Sequence, residues 1–350
     1  MTKPLGPSKE HERIMIVRLS ALGDIIQTMP VACALRDRFP KAKIDWVCQQ
    51  GGASLLEGHP ALDEVLTVPR RWMRSLDEIR KVRRLLRSKR YDLAIDAQGL
   101  LKSASLARLS GAKRRVGFAK PWGREMSPYL ATETVDTRDF VHIIDRNLRL
   151  LRPFGVDNPD VRFDMPDFPE AKAAIRRQLE DAGLVLKEDR LAILNVGAGW
   201  ASKRWPPERF ALLARHLAEQ HNLISLTVFG GEEEQGLAEQ VVQDSEGAAR
   251  LAPKMSLQGL VELCRVSRIF VGGDTGPLHM AAAVETPSVG LYGPFPAKRH
   301  GPRGEHCIMI QKMTMDGPVR ERRRASDECM QAIDFECVAE ACDRLLNKTA

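Results

Sequence analysis

An apolar run, Ile269-Phe270-Val271, passes through Gly272-Gly273 into Asp274-Thr275-Gly276-Pro277-Leu278-His279, residue types that suit a strand turning directly into a helix. Glycines let the backbone approach a ligand closely, and Pro277 fits a first helical turn. The free N–H groups at a helix start then hold an anion, with a diphosphate the natural guest. The same residues would also serve a plainer end, with Asp274 or Thr275 capping the helix and His279 packed on its first turn. A second stretch tips the reading toward a ligand. From Ile193 to Pro207 the chain again reads strand, small-residue loop (Gly197, Ala198, Gly199) and proline-opened helix, and Lys203 offers a compact charge to phosphate oxygens. On successive strand-to-helix units of a parallel sheet, both turns would face one crevice at the carboxyl ends of the strands. A third candidate is Arg18-Leu19-Ser20-Ala21-Leu22-Gly23-Asp24, where Asp24 could act as a base or cap the following helix.

The elements that must position these residues alternate along the chain as in wound parallel sheets. Strands are expected near 14–19, 43–48, 65–68 and 93–96, with helices near 25–39, 77–88 and 101–110. The second half repeats the pattern, with strands near 191–196, 225–229, 269–271 and 288–292 and helices near 207–220, 233–244 and 257–264. Between the halves, Phe154 to Pro169 combines Pro159, Pro166 and Pro169 with Asp157, Asp160, Asp164 and Asp167 and reads as a linker. The expectation is an α/β protein of two Rossmann-like domains, 1–165 and 166–350, with parallel sheets facing a central crevice. Cys337 and Cys342 fall in an apolar-periodic tail that reads as a last helix in the second domain, with the option of packing back on the first.

At 350 residues, 43% hydrophobic and 28% charged, the chain is long for one core and comfortable for two. No apolar run nears the length of a membrane span, and Lys3 to Glu10 lacks a signal-peptide core, so a cytoplasmic protein is expected. The 7 cysteines are scattered without Cys-x-x-Cys or zinc-type spacing, which argues for reduced thiols and no metal site among them. A net charge of +7 calls for an acidic partner. Basic residues bunch at Arg70 to Arg74, Arg80 to Arg90, Lys113 to Arg115 and Arg320 to Arg324, without the aromatic or helix-turn-helix patterns of nucleic-acid readers. Lys81 to Arg84 reads as a solvated helix face.

Ser20-Ala21-Leu22-Gly23-Asp24, Asp96-Ala97-Gln98-Gly99-Leu100-Leu101-Lys102-Ser103-Ala104, Lys203-Arg204-Trp205-Pro206, Leu251-Ala252-Pro253-Lys254-Met255-Ser256-Leu257 and Asp274-Thr275-Gly276 with His279 occur in this order. Together they resemble the bacterial lipopolysaccharide heptosyltransferases of glycosyltransferase family nine, from about Arg13 to the last helix. The resemblance implies a GT-B fold, an ADP-heptose donor and an inner-core lipopolysaccharide acceptor, Kdo-lipid A or the first heptose, met at the cytoplasmic face of the inner membrane. Residue by residue, it implies Asp24 as general base beside Gly23 and Lys203 as the phosphate-contacting lysine. Gly199, Asp274, Thr275, Gly276 and His279 would hold the nucleotide sugar, with Met255 beside the adenine and one of Glu232, Glu233 or Glu234 on the ribose. Arg70, Arg71, Lys102 and Arg124 would face a phosphorylated acceptor. Ala198-Gly199 departs from the adjacent threonines of heptosyltransferase I and looks closer to other members of the family.

A base in one domain and the leaving diphosphate in the other suit single displacement with inversion. No Asp-x-Asp occurs, so a helix start and a lysine would replace the usual metal clamp, and magnesium is not expected to be essential. Two other classes stay open from the residues. Gly197-Ala198-Gly199-x-x-Ser202 is one glycine short of a dinucleotide fingerprint, which would make an NAD-dependent oxidoreductase. The positive charge alone would fit a non-catalytic protein that binds anionic lipid or nucleic acid.

Overall fold

The computed structural model describes residues 11–184 and 190–348, so the amino-terminal stretch read above for a signal sequence lies outside the described residues. The chain divides into two compact units, Met1–Pro166 and Asp167–Ala350. Each is built on one six-stranded sheet in which every neighbouring pair is parallel.

The first unit contains β1 (Arg13–Val17), β2 (Lys43–Cys48), β3 (Glu64–Thr67), β4 (Leu93–Asp96), β5 (Arg114–Phe118) and β6 (Glu133–Val135), in the order β3-β2-β1-β4-β5-β6. The second contains β7 (Leu191–Asn195), β8 (Ile224–Val228), β9 (Ala249–Leu251), β10 (Ile269–Gly273), β11 (Ser288–Leu291) and β12 (Cys307–Ile310), in the order β12-β11-β10-β7-β8-β9. Read from the opposite edge, that is the same winding. In such a sheet the direction of winding reverses between the first and fourth strands, which opens a gap at their carboxyl ends where ligands bind. Those strands are β1 and β4 in one unit and β7 and β10 in the other. The two glycine loops of the second unit are therefore neighbours because β7 pairs with β10, and they do not follow successive strands as the sequence suggested.

β1, β4, β7 and β10 are continuous apolar runs because helices cover both faces of a parallel sheet. Met15, Val17, Val47, Ala94, Trp72 and Leu106 share one core, and Leu194, Val271, Phe210, Leu217 and Leu291 share another. The last helix, Phe335–Lys348, buries Val338, Ala341, Cys342, Leu345 and Leu346 in this second core. All 7 cysteines are free thiols.

Two expectations need correction, and the linker gains detail. The helix expected over 25–39 is two helices, Leu22–Ile26 and Met29–Arg38. Pro30 has no N–H to continue the first ladder, and the break at Gln27 and Thr28 is held by Asn147, whose Nδ2 donates to Gln27 O and Thr28 Oγ1. The segment 155–168 has no helix or strand but is no loose tether: Arg162 pairs with Asp37 at 2.7 Å, His59 Nε2 meets the Phe163 carbonyl at 2.9 Å, and Met165 is buried. β5, β6, β9 and β12 were not anticipated. β6 and β9 have only 3 residues each, and the neighbouring strand rather than their own pattern makes them extended, as in the pairing of Val116 with Glu133.

Candidate functional site

In the second unit, the loop after β7 and the loop after β10 are locked together. Asn195 closes β7, and its Nδ2 donates to Gly197 O at 3.0 Å and to Thr275 Oγ1 at 3.2 Å. The close approach demands glycine: a Cβ on Gly273 would stand 2.7 Å from the Lys203 carbonyl oxygen, and one on Gly272 would stand 2.8 Å from the Asn195 Cβ. Trp205 pins the far end of the first loop, its ring edge-on to Phe210 and its Nε1 donating to Ile333 O at 2.9 Å.

Lys203 ends a short 3-10 turn, Ala201–Lys203, and its Nζ donates to both the carbonyl (3.0 Å) and the carboxylate (2.5 Å) of Asp274. His279 Nε2 lies 3.7 Å from the other Asp274 oxygen. The Lys203 and Asp274 side chains are 15% and 11% exposed. Burial would raise the Asp274 pKa, but the adjacent His279 imidazole and the Lys203 ammonium outweigh it and hold the carboxyl well below the usual range. The lysine is thus already paired and oriented.

The helix Gly276–Ala283 starts at this cluster. Its N-cap, Thr275, makes no side-chain cap; the hydroxyl donates instead to Gly273 O at 3.3 Å. Neither Asp274 nor Thr275 therefore acts as a plain side-chain cap on this helix.

The remaining donor-side candidates line the same end of the sheet. Gly199 is exposed at the tip of the β7 loop. Glu232, Glu233 and Glu234 open the helix Glu232–Asp244. Glu233 pairs with Arg204 at 2.5 Å, while Glu234 accepts the Gly230 N–H at 2.6 Å and packs so closely on Gly197 that a Cβ there would meet its carboxylate. Met255 lines a cavity of about 310 Å³ with Ala171, Ile175, Gln178, Lys254 and Gly259, between the helices Pro169–Asp181 and Leu257–Arg265.

Sequence reasoning left Arg320 to Arg324 as an unassigned basic run. The structure folds it into the helix Val319–Arg324, which packs on the turn carrying Lys203. Arg323 stacks over Trp200 at 4.6 Å, and Lys203 and Arg322 both approach the Phe295 ring, at 4.7 and 5.8 Å. The only sequence signal was the charge itself.

In the first unit, Asp24 is the third residue of the helix Leu22–Ile26, so Ala21 takes the N-cap position. One carboxylate oxygen pairs with Arg18 at 2.7 Å and the other accepts the Ala21 N–H at 3.3 Å. Arg18 is buried and also donates to Ala97 O at 2.5 Å, which ties the β1 loop to the β4 loop; Leu19 N–H does the same through Gln98 Oε1 at 2.8 Å. Gly23 precedes Asp24 in this turn. Arg70, Arg71, Met73, Arg74 and Lys102 line one cavity of about 430 Å³, with Lys102 donating to the Arg70 carbonyl. Burial chiefly, and Arg70 secondarily, lower the Lys102 pKa. Arg124 does not share that lining. Its N–H donates to Gly99 O at 2.9 Å and its side chain is exposed. Lys81 is exposed and pairs with Glu78, as a solvated face should.

Two doubly wound parallel units, with two glycine loops joined through Lys203 and Asp274 at one switch point and an Arg18-paired carboxylate at the other, have the layout of the GT-B type. Comparison with known proteins agrees. The structure is similar to a family 9 glycosyl transferase from Veillonella parvula (TM-score 0.82, 24% identity, covering 96% of this chain and 97% of that one). It is also similar to the E. coli heptosyltransferase WaaC with ADP-2-deoxy-2-fluoro heptose (TM-score 0.73, 24% identity, 97% and 100%). Among curated relatives, lipopolysaccharide heptosyltransferase 1 of Pseudomonas aeruginosa is 32% identical over 290 residues, 81% of this chain and 79% of that protein. Lipopolysaccharide heptosyltransferase 3 of E. coli K12 is 25% identical over 94% of this chain and 96% of that protein. The model of glycosyltransferase family 9 (heptosyltransferase) matches residues 79–329. The chain belongs to glycosyltransferase family 9 and is a glycosyltransferase. That overturns the dinucleotide oxidoreductase and the non-catalytic binding protein, and the geometry explains the first: after Gly199 the chain enters a 3-10 turn, and the next helix waits until Pro207.

Proposed function

We propose that the protein transfers a heptose from ADP-heptose to the inner core of lipopolysaccharide with inversion at the anomeric carbon. The observation that carries this reading is the Lys203–Asp274 pair set beside the uncapped start of the helix Gly276–Ala283, a fixed cation and fixed N–H dipoles at one switch point. Relatives named as lipopolysaccharide heptosyltransferases, and the solved heptosyltransferase carrying an ADP-heptose analogue, support the choice of sugar and nucleotide.

In this reaction Asp24 takes the proton of an acceptor hydroxyl as its oxygen attacks the anomeric carbon. The bond from that carbon to the diphosphate breaks, and its electron pair leaves with ADP. Arg18 fixes the Asp24 carboxylate, so the base need not reorganise. Charge growing on ADP is met by Lys203 and the backbone N–H groups of Thr275, Gly276 and Leu278, all oriented beforehand by Asn195, Asp274 and His279. Arg322 and Arg323 add to that field. Met255 and its cavity take the adenine, and Glu232 or Glu233 the ribose, with Gly199 allowing close approach. Arg70, Arg71 and Lys102, with Arg124 nearby, hold an anionic acceptor, and the first unit is the acceptor-binding domain and the second the donor-binding domain. Neither a cofactor nor magnesium is required in this scheme, because fixed cations take the place of a metal clamp.

Among the described residues no helix is long and apolar enough to cross a membrane. A lipid-borne acceptor would then be met from the cytoplasmic surface by peripheral contact. The test is incubation with ADP-, UDP- and GDP-sugars and truncated lipid A acceptors, with and without chelator, followed by product mass. A heptose-sized increment from the ADP sugar alone, undiminished by chelator, is expected. No product from any ADP sugar overturns the reading of the donor, and chelator loss rescued by magnesium overturns the metal-free scheme.

A further inference from the structure

The second unit carries a cluster of metal-ligating side chains away from the loops after β7 and β10. His216 stands within the helix Pro207–His221, His221 ends it, and Asp343 stands on the last helix, Phe335–Lys348. Both imidazole Nε2 atoms lie against the same carboxylate oxygen, Asp343 Oδ1, at 2.8 and 2.7 Å. The three ligand atoms fall within 4.8 Å of one another. The side chains are 21%, 16% and 37% exposed, so the cluster is partly buried and still within reach of water. Phe335 packs edge-on to His216 with ring centroids 6.0 Å apart, which restricts the turning of that ring.

We propose that His216, His221 and Asp343 form a site for a divalent transition ion, with zinc the best match, that clasps the last helix to the helix Pro207–His221. Two imidazoles and one carboxylate are a borderline donor set, suited to zinc, cobalt(II) or nickel and poorly suited to magnesium, which demands six oxygens. Zinc–ligand bonds of about 2.0–2.1 Å at tetrahedral angles set ligand atoms about 3.3 Å apart. The present nitrogen–oxygen separations would open by roughly half an ångström, within the reach of small side-chain rotations, and water would take the fourth position. Each ring would carry its proton on Nδ1 so that Nε2 is free to bind. Because both helices bury apolar stripes in one core, the ion would bind only the folded unit and raise its stability.

The experiment uses the full chain after chelator treatment and exchange into chelator-free buffer. Thermal unfolding is followed with zinc or magnesium added, and cobalt(II) is titrated as a spectroscopic probe. Zinc should raise the unfolding temperature by several degrees and magnesium should not. Cobalt should give a tetrahedral ligand-field band without thiolate charge-transfer absorption. The shift should disappear in His216→Gln/His221→Gln. An equal zinc shift in that double variant, a cobalt spectrum dominated by thiolate bands, or no shift in the unaltered chain overturns the proposal. If the double variant does not fold, His216→Gln alone with the cobalt titration decides: an unchanged cobalt band overturns the site.

Discussion

Replacing Lys203 by methionine separates two roles that the structure gives one side chain. Its Nζ makes two hydrogen bonds to Asp274, and both side chains are almost out of water. Removing the lysine leaves a desolvated carboxylate with His279 alone. Breaking a buried ion pair costs about 3–5 kcal/mol, and residual exposure and the histidine place this case near the low end, about 3 kcal/mol. For a unit of this size, at roughly 2–4 °C per kcal/mol, the unfolding temperature of the second unit should fall by about 6–12 °C. Loss of a charge-assisted contact to the diphosphate, about 1.5–3 kcal/mol, should weaken ADP binding by roughly 10- to 100-fold. Lys203→Met/Asp274→Asn keeps the shapes but removes the stranded charge, so it should recover much of the stability. Calorimetry with ADP and thermal unfolding on the single and double variants give the answer. Stability restored with ADP binding still weak means that the lysine touches the donor. ADP binding restored together with stability, or a single variant unchanged in both, would refute the reasoning.

Asp24→Asn should lower turnover by roughly two to four orders of magnitude while ADP binding stays within about twofold, and a variant keeping a tenth of normal turnover would remove Asp24 from the chemistry. Arg71→Glu should raise the acceptor KM far more than the donor KM, and added salt should do the same to the unaltered protein; equal sensitivity of both substrates would detach the cavity from the acceptor. Lys102 titrates below the ordinary lysine value because burial and Arg70 disfavour its charge. Acceptor affinity should therefore be full at neutral pH and decline as pH rises through that lowered value, before about 10.4, and Lys102→Arg should remove the alkaline decline in an acceptor KM profile.

Much of this protein was legible in its residues because local rules decide it. The apolar runs at 43–48 and 93–96 are strands wherever they are buried, and Gly272-Gly273-Asp274 with Pro277 announces the turn from the strand Ile269–Gly273 into the helix Gly276–Ala283. Four of the family motifs follow β1, β4, β7 and β10, and the fifth, Leu251 to Leu257, follows β9. Elements that lack a pattern of their own were not legible: Glu133-Thr134-Val135 is a strand only because β5 lies beside it, and Val319–Arg324 reads as charge until it packs on the Lys203 turn. Tertiary structure also decided partners. Lys203 and Asp274 are 71 positions apart, Arg18 and Ala97 79, and His216 and Asp343 127. A sequence lists these side chains without saying which will meet, because pairing across strands and helices depends on sheet order. Here β1 lies beside β4 and β7 beside β10, and that order turns scattered residues into sites.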